Sequence, residues 1–140
     1  KGEVSLSFNV KRGEGSEKGA SGGLYCPGDR LQFVYTSGAN RYLFLLSVEA
    51  SGRVNNFNYR GSKDSVAIES GAGRVLEGSI VLDESPHTER IFAVFSNEAL
   101  DWKTVERAAR KAFTYAGGDV QKISRLPLEH DQASVLLNKK

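Results

Sequence analysis

Val4, Leu6, Phe8 and Val10 alternate with Ser5, Ser7 and Asn9, the period-2 pattern of a strand with one face in a core. From Lys11 to Gly23 the chain holds five glycines among Ser, Glu and Lys with no periodicity, which predicts a mobile loop. Order resumes at Leu24. Pro27-Gly28-Asp29 forms a turn, and Leu31, Phe33 and Tyr35 then alternate with Gln32, Val34 and Thr36, predicting a second strand over 31–36. Ser37-Gly38-Ala39-Asn40 turns the chain into Tyr42–Glu49, apolar on both faces at its start and half-polar at its end, as in a central strand that emerges toward solvent. With Ala50-Ser51-Gly52 as a three-residue loop and Gly52 left-handed, Glu49 would face Arg53 and Val48 would face Val54. The run from Pro27 to Val54 thus reads as three strands in a row, a β-meander, in which Gly52→Ala should disrupt the second turn.

Further strands are expected over Val54–Tyr59, Ser65–Glu69, Arg74–Leu82, Arg90–Ser96 and Ser134–Leu137. Ile91-Phe92-Ala93-Val94-Phe95 is apolar on both faces, so this strand should be buried beside Tyr42–Glu49. After Asn97 the period changes. Trp102, Val105, Ala109, Ala112, Phe113 and Ala116 share one helical face, with Asp101 as N-cap and Gly117 as C′ residue, so one amphipathic helix is predicted over about 101–116. Trp102 reads as a core anchor. The expected fold is mainly β (α+β): an antiparallel, sandwich-like arrangement of about seven or eight strands, its C-terminal helix on an edge or across an open end.

The 140 residues fit one domain spanning 1–140, large enough to build a core without staples. A single cysteine, Cys26, permits no internal disulfide and leaves the compartment open. The absence of methionine and the start at Lys1 suggest a piece excised from a larger multidomain protein, so that any membrane anchor would lie N-terminal to it. No run of about 18 apolar residues or basic-then-apolar leader occurs, so neither membrane insertion within this chain nor a signal peptide is expected. Nineteen basic and 17 acidic residues are interspersed, too weak a field for a nucleic-acid binder. Lys103, Arg107, Arg110 and Lys111, interrupted by Glu106, read as a solvated helix face.

Candidate chemistry is sparse. Gly19-Ala20-Ser21-Gly22-Gly23 has the spacing of a nucleophile elbow, in which a serine sits on a strand-to-helix turn, but a polar loop precedes it and Leu24-Tyr25-Cys26-Pro27 follows. Cys26 lacks a neighbouring His or second Cys and reads as a small buried hydrophobe. His87 and His130 sit in polar turns, without ligand partners at metal-binding spacing. Gly13 to Gly19 misses the phosphate-loop spacing. Asn55 to Tyr59 combines amide and aromatic groups, suited to sugar or peptide contact but equally to an ordinary sheet face. No catalytic residue, cofactor or metal is expected.

Several of these segments, in order, resemble a known family: Pro27-Gly28-Asp29-Arg30-Leu31-Gln32-Phe33, Ser47-Val48 with Ser51-Gly52-Arg53-Val54, Leu76-Glu77-Gly78-Ser79-Ile80-Val81-Leu82-Asp83, and Glu89-Arg90-Ile91-Phe92. From Val4 to Leu137 the chain resembles the bacterial domain of unknown function numbered four-three-eight-four. Where that pattern has a Pro-rich stretch, this chain has Asn58-Tyr59-Arg60-Gly61-Ser62. The resemblance implies an accessory region of a multidomain protein, in some members C-terminal to a zinc-finger anti-sigma-like module and often a membrane helix. It assigns no catalytic residues and suggests an extracytoplasmic, periplasmic placement. The expected function is a non-enzymatic sensor or interaction domain with a protein or small-ligand partner. Two rivals make structural demands. A hydrolase using Ser21 or Cys26 needs one of them within about 3.5 Å of His87 or His130, and a carbohydrate- or peptide-binding module of the sugar type needs coplanar exposed rings from Tyr25, Tyr42, Phe57 or Tyr59.

Overall fold

The computed structural model describes residues 3–139. Among these described residues, eleven strands run in chain order as β1 (Ser5–Arg12), β2 (Gly15–Lys18), β3 (Leu24–Tyr25), β4 (Arg30–Thr36), β5 (Tyr42–Glu49), β6 (Val54–Asn56), β7 (Val66–Ala67), β8 (Arg74–Val75), β9 (Ile80–Val81), β10 (Glu89–Ser96) and β11 (Asp131–Lys139). One α-helix, α1 (Trp102–Tyr115), lies between β10 and β11. The fold is mainly β with two sheets and one helix, a sandwich-like α+β arrangement. One sheet has the order β2-β1-β4, with β8 and β9 sharing the far edge of β4. The other runs β3-β11-β10-β5, with β6 and β7 sharing the far edge of β5. All pairings are antiparallel except the short β3–β11 contact.

The alternation in β1 and β4 does what a half-buried strand requires. Leu6, Phe8, Val10, Leu31, Phe33 and Tyr35 are buried against Leu43, Leu45, Ile91, Ala93 and Phe95 of the opposing sheet. The second core lies on the other side of β5 and β10. There Phe44, Leu46, Val48, Phe92 and Val94 meet Val105, Ala108, Ala109 and Ala112 of α1, with Val120, Ile123 and Leu126 completing the cover. The helix therefore lies over the outer face of the second sheet, not on an edge or an open end. This placement explains why both faces of β5 and β10 are apolar: each is the middle layer of three.

The meander reading fails at one step. β4 and β5 belong to different sheets, so the Ser37–Asn40 turn carries the chain across the sandwich instead of into a neighbouring strand. Two consecutive strands with a short turn read the same in sequence whether they pair or face each other across a core. The hairpin from β5 to β6 does form as expected, with Val48 opposite Val54 and Gly52 at φ +94°. A Cβ at Gly52 would also lie 3.2 Å from the Phe113 ring, which gives Gly52→Ala a second cost. Glu49 and Arg53, however, share only a backbone hydrogen bond, Glu49 N–H to the Arg53 carbonyl at 2.9 Å. The Glu49 side chain, 2 % exposed, turns into the protein, so the end of β5 does not emerge toward solvent.

Other boundaries also move. The Lys11–Gly23 segment contains β2, whose four residues are all exposed and so left no apolar signal; they pair with β1 from Asn9–Lys18 to Arg12–Gly15. The single strand expected over 74–82 divides into β8 and β9 around Leu76–Ser79, which brings the strand number above seven or eight. The strand expected from Val54 stops at Asn56, and a 3-10 turn follows over Tyr59–Gly61. The helix obeys its capping signals: Asp101 Oδ1 accepts from the Thr104 N–H at 2.8 Å, and Gly117 follows at φ +65°. Hydrogen bonding from the Thr104 side chain, then from its backbone N–H, followed by nearby Lys103 and Arg107, holds the Asp101 carboxyl below its ordinary pKa. Trp102 is half-buried and stacks on Phe44, ring centroids 5.8 Å apart. No helix among the described residues is long and apolar enough to cross a membrane.

Candidate functional site

Both sheets end on the same side in short strands, β8 and β9 on one and β6 and β7 on the other, and a cleft of ≈ 600 Å³ opens between these fringes. Phe33, Tyr35, Leu45, Phe57, Ile68 and Leu76 give it an apolar interior, while Arg60, Glu69, Arg74 and Glu77 stand among its lining. Its size is that of a small-molecule site, for which the ordinary range is about 300–1,000 Å³.

The loop between β6 and β7 is built by asparagines. Asn58, 5 % exposed, accepts the Leu45 N–H through Oδ1 at 2.9 Å and donates through Nδ2 to the carbonyls of Ser62 and Asp64 at 3.2 and 3.0 Å. Its side chain thereby occupies the place of a missing strand beside β5, where a bare buried amide would cost about 1–3 kcal/mol. Asn56 adds a second tie, accepting the Asn58 N–H and donating to Ser62 O, each at 2.9 Å. The loop so fixed carries Tyr59 and Arg60. Arg60 has φ 58° and ψ 22°, and among the described residues it is the only non-glycine with positive φ. Its guanidinium lies 5.1 Å from the centre of the Tyr59 ring.

Across the cleft, Gly78 (φ +92°) makes room for that same ring: a Cβ there would stand 2.7 Å from Tyr59 Cδ1. At Leu76 the backbone is anchored to β4 by its N–H to the Phe33 carbonyl at 2.8 Å. The Tyr35 hydroxyl donates to the Glu69 carbonyl at 2.9 Å, and the Glu69 carboxylate pairs with Arg74 at 3.1 Å. Burial pushes the Tyr35 phenol above its ordinary pKa.

The residues singled out from sequence are dispersed. Ser21 Oγ accepts the Leu136 N–H at 2.9 Å, tying its loop to β11. Cys26 is half-buried, more open than a core hydrophobe, at the turn where its N–H donates to buried Asp29 at 3.0 Å. That carboxylate also accepts from Arg12 Nε at 3.0 Å. His87 is exposed and His130 half-buried, and neither side chain hydrogen-bonds a described residue. Tyr25 is buried, its hydroxyl held by the Ala20 backbone, and Tyr42 and Phe57 are half-buried, which leaves Tyr59, 41 % exposed, as the open ring of the four. Of the Asn55–Tyr59 set, Phe57, Asn58 and Tyr59 line the cleft, Asn55 does not, and the amides of all three asparagines are consumed by the fold. Arg60, Arg74 and Tyr35 carried no signal in the sequence beyond their residue types, because sequentially distant segments bring them together.

A second polar cluster lies at the end of β5. Glu49 and Glu89 are Cα partners, each 2 % exposed. Lys139 pairs with Glu89 at 2.7 Å, Asn55 donates to Glu49 at 2.8 Å and to Ser47 at 3.0 Å, and the Ser47 hydroxyl donates to Glu89. Every member is engaged within the cluster, which makes it a structural network and leaves the cleft as the candidate site. No group of three or more His, Cys, Asp or Glu suited to a metal occurs among the described residues. Compared with protein-family models, curated proteins and solved structures, the chain matches none.

Proposed function

We propose that this chain is a non-enzymatic recognition domain that takes a small ligand into the cleft between the fringes of its two sheets. The carrying observation is the cleft itself: an apolar interior from both sheets, charged side chains in the lining, and a loop fixed by buried Asn58. The resemblance carried by the motifs from Pro27 to Phe95 favours a place for such a domain in a larger bacterial signalling or anti-sigma-like protein, where ligand occupancy would be reported to a partner. The hydrolase reading has less support, since the Ser21 hydroxyl is engaged by the backbone of β11.

Amide chemical-shift mapping with 1-decanol, a neutral apolar probe, tests this reading. Saturable shifts should centre on the backbone of 57–60, 66–69 and 74–80, and Ala67→Trp, an exposed cleft-lining position, should abolish them. Shifts elsewhere, or binding untouched by Ala67→Trp, would overturn it.

A further inference from the structure

Arg60 is placed at cost. A left-handed conformation at a residue with a Cβ is disfavoured, and Gly61, at φ +68°, stands next to it in the chain. Strain of this kind persists where the surroundings over-determine it, and here they do: Asn56 and Asn58 fix the loop on both sides of the turn. The result is a guanidinium in the cleft lining, held over the Tyr59 ring and paired with no carboxylate among the described residues. The other arginine of the lining, Arg74, is already matched by Glu69 at 3.1 Å. A cation–π contact uses no N–H donor, so the planar fork keeps its donors for a carboxylate, which it can take bidentately.

We infer that the cleft takes an anionic amphiphile: an apolar chain lying among Phe33, Leu45, Phe57 and Leu76, with a terminal carboxylate on Arg60. This assignment rests on the cleft reading above and adds the charge of the ligand and the residue that reads it. Glu69 and Glu77 in the same lining disfavour an anion that does not reach Arg60, so the preference depends on that one side chain.

The test compares three ten-carbon probes below their micellar concentrations, decanoate, 1-decanol and decyltrimethylammonium, by isothermal titration calorimetry on the wild-type chain, Arg60→Asn and Arg74→Gln. Asparagine tolerates the left-handed conformation, so Arg60→Asn removes the charge while keeping the turn, and an undiminished Tm verifies the fold. Decanoate should bind wild type most tightly and lose about tenfold or more in Arg60→Asn, the scale of one charge-assisted hydrogen bond, while decanol is unchanged. Arg74→Gln should alter decanoate binding by less than Arg60→Asn. Equal binding of decanoate and decanol, or a decanoate affinity indifferent to Arg60→Asn, would refute the anion assignment and leave the cleft reading standing. Failure of all three probes to bind would remove both.

Discussion

The β5–β10 pair and the fringe strands β6 to β9 are built from the same backbone ladder, yet they solve opposite problems. Every residue from Leu43 to Glu49 and from Ile91 to Ser96 is buried, because the sheet they form lies between another sheet and a helix. The fringe strands are two or three residues long, and none of their residues is buried. Long central strands maximise ladder hydrogen bonds and apolar contact, which is where stability resides. Short fringe strands end the sheets early, and their interruptions leave concave space that side chains such as Asn58 must hold open. The comparison teaches that the cleft exists because the sheets are incomplete on that side.

The sharpest test of this division is Phe92→Ala in β10, which should cost about 3–5 kcal/mol in chemical denaturation, since the ring is fully buried between β5 and α1. A cost near that of a surface change would break the contrast. Next in size is Asn58→Ala, expected to lose about 1–3 kcal/mol by orphaning the buried Leu45 N–H and to weaken decanol binding as well. A loss of stability with binding intact would mean the loop is structural only. Gly78→Ala should cost about 1–2 kcal/mol for its left-handed backbone and displace Tyr59, visible as an altered ring environment by NMR.

Titration gives smaller effects with opposite signs. The depressed Asp101 carboxyl contributes stability that is present above its unfolded pKa of about 4 and is lost as pH falls through the lower folded value, so Asp101→Asn should flatten the acid limb of the stability–pH curve. The raised Tyr35 phenol contributes stability that is complete below about pH 10 and is lost as pH rises through the higher folded value, so Tyr35→Phe should flatten the alkaline limb. The smallest effect belongs to Val75→Ala, 59 % exposed on β8, which should change stability by no more than about 0.5 kcal/mol.

Much of the fold was legible. Alternation in β1 and β4 marked the inner face of one sheet, the doubly apolar runs marked β5 and β10 as buried neighbours, and Asp101 and Gly117 bracketed α1 within a residue or two. What escaped reading had no apolar signature. β2 is wholly exposed, and Glu49 reads as a surface charge because its burial depends on Asn55, Ser85 and the neighbouring Glu89 site, all contributed by other strands and loops. Of the site, only the Asn55–Tyr59 stretch drew notice. Arg60 and Arg74 are 14 residues apart in a region of short strands and loops, where periodicity carries no information.

Local chemistry, then, determined which segments are strands, where the helix starts and stops, and which faces are apolar, because these follow from side-chain spacing of 2.0 or 3.6 residues and from capping groups within a few positions. Tertiary structure alone decided that β4 and β5 lie in opposite sheets, that α1 covers a sheet face, that two glutamates share a buried network, and that a cleft opens between the fringes. The physical reason is that strands separated by a short turn satisfy the same local pattern whether they pair edge to edge or stack face to face. Only burial of both faces of β5 and β10 selects between these arrangements.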